Sequence, residues 1–144
     1  MGPQLTRFEN WPTRLIEFIY AANQRLFSWG EFDCFIFCAD AIQALTGEDV
    51  FKDYEFRGKY KSAEGAIKQF RKHGFKNIEH IWDEFLEPVH PNFAQRGDIV
   101  LLDLFDFKIP ASGVVIDSRA AFLSPDDIIY KNVTDARLSW RVGA

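Results

Sequence analysis

The chain's two cysteines, Cys34 and Cys38, are its most reactive side chains on type alone. A spacing of four puts both thiols on one face of a helix, where the geometry is poor for a disulfide. It is not the Cys-x-x-Cys spacing of a zinc or redox pair either. Trp29-Gly30 breaks the preceding chain, and Asp33 stands where an N-cap belongs. From there Cys34, Phe37, Cys38, Ala41, Ile42 and Leu45 recur at three and four residues, one face of a helix that Thr46-Gly47 ends. A thiol in the first turn meets unpaired N–H groups and the positive end of the helix dipole, which favour the nucleophilic thiolate. The same place also suits a small residue that simply packs. Cys38, one turn further in, reads as core.

A cysteine nucleophile needs a base or a lowered pKa. The three histidines are His73, His80 and His90. His73 precedes Gly74 at a helix end, where a cation is favoured, and His80 lies in a short amphipathic segment. His90, between Val89 and Pro91, lies close before the first apolar strand and is the candidate base. No two histidines stand at i,i+3 or i,i+4, so no metal site and no cofactor is expected. Asp103, Asp106, Asp117, Asp126 and Asp127 fall at strand ends and turns. Their spacing selects no glycosidase-like pair, and solvated turns account for them. The aromatic set Trp11, Phe27, Trp29, Phe32, Phe35 and Phe37 has the density of a core. Within it, Trp29 and Phe32 flank the turn and are the candidate substrate-binding residues. There is no P-loop, no Gly-x-Gly-x-x-Gly and no serine elbow.

The elements that must position these residues follow from periodicity. Residues 1–12 read as an extended lead-in with Pro3 and Pro12. Leu15, Ile16, Phe18, Ile19, Ala22 and Leu26 form a helical stripe over 13–26. After the helix of Cys34, residues 48–62 have no clean period and read as a loop. Ser62 is an N-cap for a helix ending at Gly74, and 79–86 forms a short helix. Pro88 and Pro91 then break the chain. Ile99–Leu102, Gly113–Ile116, Ala120–Leu123, Asp127–Tyr130 and Leu138–Val142 read as strands. Helices first and strands after predict an α+β fold, with N-terminal helices packed on a C-terminal antiparallel, partly curled sheet of about five strands. With 144 residues, 47% hydrophobic content and no repeat or linker, one domain over 1–144 is the economical reading. A net charge of −4 without a basic block disfavours nucleic acid. No signal peptide or membrane insertion is expected, since no apolar run is long enough.

Phe27-Ser28-Trp29-Gly30-Glu31-Phe32-Asp33-Cys34, Ala39-Asp40-Ala41-Ile42, Thr46-Gly47, Ala94-Gln95-Arg96-Gly97-Asp98 and Trp140-Arg141 stand in an order that resembles the NlpC/P60 cysteine peptidases. More narrowly they resemble a small branch found among tailed-phage and prophage genes, over roughly residues 10–142. The resemblance implies a papain-like core, with Cys34 as nucleophile on an amide of peptidoglycan stem peptides. It implies for Asp98 turn formation and backbone capping. It also implies a virion-tail location and other phage tail proteins as partners. The sequence departs from the family at one decisive place. Where the family carries its catalytic histidine, two residues before the strand glycine, Pro110-Ala111-Ser112-Gly113-Val114-Val115 has Ala111, which moves no proton. Two classes therefore stand: a tail-tip or tail-assembly component on a degenerate peptidase scaffold, or an active peptidoglycan amidase or endopeptidase using Cys34 and an unusual base.

Overall fold

The computed structural model describes residues 5–104 and 109–143. Among the described residues four α-helices come first: α1 (Trp11–Ala22), α2 (Cys34–Thr46), α3 (Ala63–Lys72) and α4 (Ile78–Phe85). Six strands follow among them: β1 (Glu87–Val89), β2 (Ile99–Leu102), β3 (Ala111–Val115), β4 (Arg119–Leu123), β5 (Ile128–Asn132) and β6 (Leu138–Arg141). The fold is α+β, and the strands form one open antiparallel sheet in the order β1-β6-β2-β3-β4-β5.

Helix α2 begins and ends as its spacing predicts. The Asp33 carboxylate accepts from the Phe35 and Ile36 N–H groups at 3.0 and 2.9 Å, and Gly47 closes the helix at φ 81°. Everything from Cys34 to Ala39 is buried, because α1 covers one flank, the sheet another and an aromatic cluster a third. In that cluster Phe35 stacks on Phe51 at 4.5 Å and leans on Phe70 and Trp82 at 4.8 and 5.3 Å. Burying each such ring contributes about 1.5–3 kcal/mol. Ser62 and Asn77 cap α3 and α4 through their side chains.

Helix α1 departs from expectation at both ends. It starts at Trp11, ahead of residue 13, because Pro12 falls in the first turn, where a missing N–H costs no bond. It stops at Ala22, where Gln24 and Arg25 donate to the Ala21 and Ala22 carbonyls at 3.0 and 3.1 Å and tighten the chain out of the α-helix. Leu26, expected on the buried stripe, is 90% exposed in consequence, and Ile16 is 60% exposed. The lead-in is shorter than expected, and its first four residues lie outside the described residues.

Strand β1 is the other departure. Glu87–Val89 pairs with Arg141–Ser139 of β6 where Pro88 predicts only a break. Proline donates nothing to a ladder, so an edge strand is where it is tolerated. The sheet's helix-facing side carries Ile99, Leu101, Val114, Ala121 and Trp140. Its other side carries Val100, Ala111, Val115, Ala120 and Phe122. Gly113 belongs to that second side, where a Cβ would stand 2.6 Å from the Phe122 ring.

The segment before α1 and the end of β6 meet at Asp98. This fully buried carboxylate accepts from the N–H groups of Gln95 and Val142 at 2.8 and 3.0 Å and from Arg7 and Arg141 at 3.0 Å each. It therefore caps a turn, as expected, and also clamps the segment before α1 to the end of β6.

Candidate functional site

The N-terminus of α2 is held by a staple that starts in the loop before α3. Gly30 adopts φ +84°, and a Cβ there would collide with the Tyr60 carbonyl. Gly58 N–H donates to the Gly30 carbonyl at 2.7 Å. The Tyr60 hydroxyl and Gly30 N–H both donate to the second oxygen of Asp33, at 2.7 and 2.9 Å. The Trp-Gly-x-x-Asp-Cys pattern thus has a local physical reason: a glycine for the close approach, and a carboxylate that caps the helix and holds Tyr60. Burial and the Asp33 charge push the Tyr60 phenol well above its ordinary range.

Cys34 follows directly, on the floor of a cleft of about 650 Å³. One wall is Phe27 and Trp29, an edge-to-face pair with ring centres 5.1 Å apart. The others are Lys61–Glu64 at the start of α3 and Ser124–Asp127 with Ile129 around the start of β5. Cys34 itself has no exposed surface. Its thiol is pushed up to about 12, first by burial and then by the Asp33 charge. The backbone N–H groups of Ser112, Cys34 and Phe35 pull the other way with smaller effect. The Ser112 amide is free for this role because the β3–β4 pairing covers only Val114↔Ala121 and Val115↔Ala120. The expected thiolate-favouring effect of the helix start is therefore present and outweighed: near neutral pH Cys34 is a thiol. Cys38, also fully buried, is likewise raised well above its ordinary value, first by burial and then by the neighbouring Cys34.

No imidazole accompanies Cys34. His90 sits beyond β1, and its Nδ1 accepts from the Asn92 N–H at 3.0 Å. Strands β6 and β2 separate β1 from β3, a span of about 14 Å at the usual strand spacing. The candidate base is thus not brought to the nucleophile, because β1 pairs at the far edge of the sheet. His73 packs against the rings of Tyr54 and Phe56 at the end of α3, and His80 accepts from the Lys76 N–H at 3.2 Å. Ala111 is fully buried in the cluster on the sheet face away from α2, while the neighbouring Ser112 hydroxyl accepts from the Trp82 indole N–H at 2.9 Å.

The two substrate-binding candidates separate. Trp29 is half-buried and lines the cleft. Phe32 is only 1% exposed, covered by the Arg25 guanidinium 3.7 Å above its ring. It borders a different, shallower groove between α1 and α2, so it is a core residue and not part of the Cys34 cleft. Asp103 and Asp117 pair with Arg137 and Arg119 at 3.0 and 3.1 Å. Asp126 and Asp127 line the cleft, and Asp106 lies outside the described residues. The residues missed by sequence reasoning are Lys61, Ser62, Glu64, Ser124 and Ile129. They converge only through tertiary packing, and no local pattern marks them as cleft residues, Ser62 being readable only as a helix cap. Among the described residues no cluster of His, Cys, Asp and Glu fits a metal ion, and no helix is long and apolar enough to cross a membrane.

These observations define an α+β protein whose buried central helix aims a first-turn thiol at an antiparallel sheet, below a cleft with one aromatic wall and charged rims. The chain belongs to the family described as a domain of unknown function, DUF6950, whose model matches residues 6–142. No curated protein matches the sequence.

Proposed function

We propose that this protein is a binding component of a phage tail, at the tip or in tail assembly, built on an NlpC/P60-like scaffold that no longer performs the peptidase reaction. The observation that carries this reading is the state of Cys34: fully buried, held as a thiol with its pKa near 12, and without a histidine in its cleft. A thiol is a poor nucleophile, and the carboxylates at the rim are weak bases for it. The tail location and the other tail proteins as partners rest on the resemblance of the Trp29–Cys34 and Arg96–Asp98 segments.

The second reading is an active peptidoglycan amidase or endopeptidase. It is favoured by the cleft that reaches Cys34 and by the Ser112 amide directed at its sulfur. In that reaction the Cys34 sulfur would form a C–S bond to a stem-peptide carbonyl as the amide C–N bond breaks, the thiol's proton would pass to the released amine, and water would hydrolyse the thioester to free the acid and restore the thiol.

Three measurements separate the readings. Iodoacetamide labelling of the native protein is expected to be slow at Cys34 and Cys38 alike. Incubation with purified peptidoglycan is expected to release no new amines, and Cys34→Ala is expected to leave assembly with other tail chains intact. Release of amines by the wild type that disappears in Cys34→Ala overturns the binding reading in favour of the enzyme.

A further inference from the structure

The sheet's two edges differ. At β1 the edge is guarded by Pro88, which has no N–H to offer. At β5 the edge is a regular five-residue strand. The Asp127 carbonyl accepts from the Ser124 N–H at 2.9 Å and the Val133 N–H donates to the Ser118 carbonyl at 3.0 Å. With the register Phe122↔Ile129 and Ala120↔Lys131, the odd-numbered residues of β5 therefore direct their N–H and C=O groups toward β4. Ile128, Tyr130 and Asn132 direct theirs outward, and among the described residues no strand pairs with that side. The start of this edge is the rim of the Cys34 cleft, where Asp126 and Asp127 stand side by side. Further along, Tyr130 is 39% exposed, with the Arg119 guanidinium 5.1 Å from its ring centre.

We propose that β5 is a strand-addition site for an extended segment of a partner protein, whose lysine or arginine lies over Asp126 and Asp127. The partner strand would run antiparallel to β5, as every pairing in this sheet does, and would exchange main-chain hydrogen bonds with Ile128, Tyr130 and Asn132. The acidic pair fixes which end of the segment is basic: the C-terminal end, which antiparallel pairing brings to the start of β5. This deepens the binding reading proposed above and rests on it for the existence of a partner. The backbone readout below succeeds or fails independently of any thiol or peptidoglycan assay.

Amide hydrogen exchange followed by NMR tests the site, with the capped peptide acetyl-Glu-Val-Thr-Val-Lys-amide as probe. The amides of Ile128, Tyr130 and Asn132 are expected to slow by about tenfold when the peptide stands at roughly ten times its Kd. Those of Ile129 and Lys131, already bonded to β4, are expected to change little. The double variant D126N/D127N is expected to bind about fivefold more weakly, the loss typical of exposed charge pairs. The reversed peptide, Lys-Val-Thr-Val-Glu, is expected to be weaker on the wild type. No slowing at the three outward amides, or slowing confined to another surface, overturns the proposal. Slowing of the same amides that grows with protein concentration alone assigns the edge to a second copy of this chain and overturns a separate partner.

Discussion

At the scale of single residues, Cys34 shows how one position carries opposite tendencies and how their sizes decide. The helix start and the Ser112 amide favour the thiolate, while burial and the adjacent Asp33 disfavour it and win, leaving the group near 12. The consequence for stability has a definite sign. An unfolded cysteine ionises near 8.5–9, roughly three units lower, so between about pH 9 and 12 the folded state holds a proton that the unfolded state has lost. Stability is unaffected by this group below that window and falls through it as pH rises. Cys38 and Tyr60 are shifted in the same direction and add to the fall. Thermal unfolding followed from pH 7 to 11 is expected to show Tm dropping steeply above pH 9. The slope should be shallower in the double variant C34A/C38A, and an unchanged slope would mean that neither thiol is held protonated. The position of Cys34 on its helix was legible in the sequence because capping and periodicity are local. Its ionisation was not, because that depends on burial against α1, the sheet and the aromatic cluster, and on the Ser112 amide, all brought in from distant parts of the chain.

At the scale of elements, the turn before α2 acts as one unit. Asp33 accepts from Gly30, Phe35, Ile36 and Tyr60, so it joins a glycine turn, a helix start and the loop before α3. Asp33→Ala removes the cap, worth about 1 kcal/mol, and leaves the buried Tyr60 hydroxyl without its acceptor, costing about 1–3 kcal/mol more. Tyr60→Phe deletes the donor while the capping bonds persist, and a loss of about 1 kcal/mol is expected. Denaturant unfolding should therefore rank wild type, Tyr60→Phe and Asp33→Ala in falling order. Equal losses in the two variants would show that capping contributes nothing beyond the Tyr60 bond. The ends of α2, and the caps Ser62 and Asn77, depend on a few adjacent residues. Helix α2 and the Ser62 cap were accordingly readable in advance. Strand β1 was not, since Glu87 owes its strand geometry to Arg141, far along the chain. The end of α1 is not legible in the pattern, because Leu26 continues a helical period that the backbone has already left.

At the scale of the whole molecule, helices first and sheet last leaves the chain with a problem of closure. The segment before α1 must be held against a sheet whose last strand arrives more than a hundred residues later, and Asp98 supplies the junction. Arg7 reaches across it, donating to the carbonyls of Val142 and Arg96 at 2.7 Å each as well as to Asp98. Gly97, at φ +92°, makes room for it: a Cβ there would stand 2.8 Å from the Arg7 guanidinium. The Arg-Gly-Asp segment was visible in the sequence as a strand-leading turn. The role of Arg7 was not, because nothing in residues 5–10 announces partners at Arg96–Asp98 and just past β6. The Arg7 side chain is 7% exposed and Asp98 is buried completely, so bulk salt screens the pair poorly. Asp98→Ala strands two guanidiniums and the Val142 N–H, and a loss of about 3–5 kcal/mol is expected. Arg7→Met leaves Asp98 with Arg141 and two backbone donors, so its loss should be smaller. Because the two residues share one network, the double variant should be less destabilised than the sum of the single ones, by about 1–3 kcal/mol. Denaturant titrations of all four proteins at low and high salt measure this coupling. A coupling near zero, or one that vanishes in high salt, would show that the ends are joined by surface contacts and not by the buried clamp.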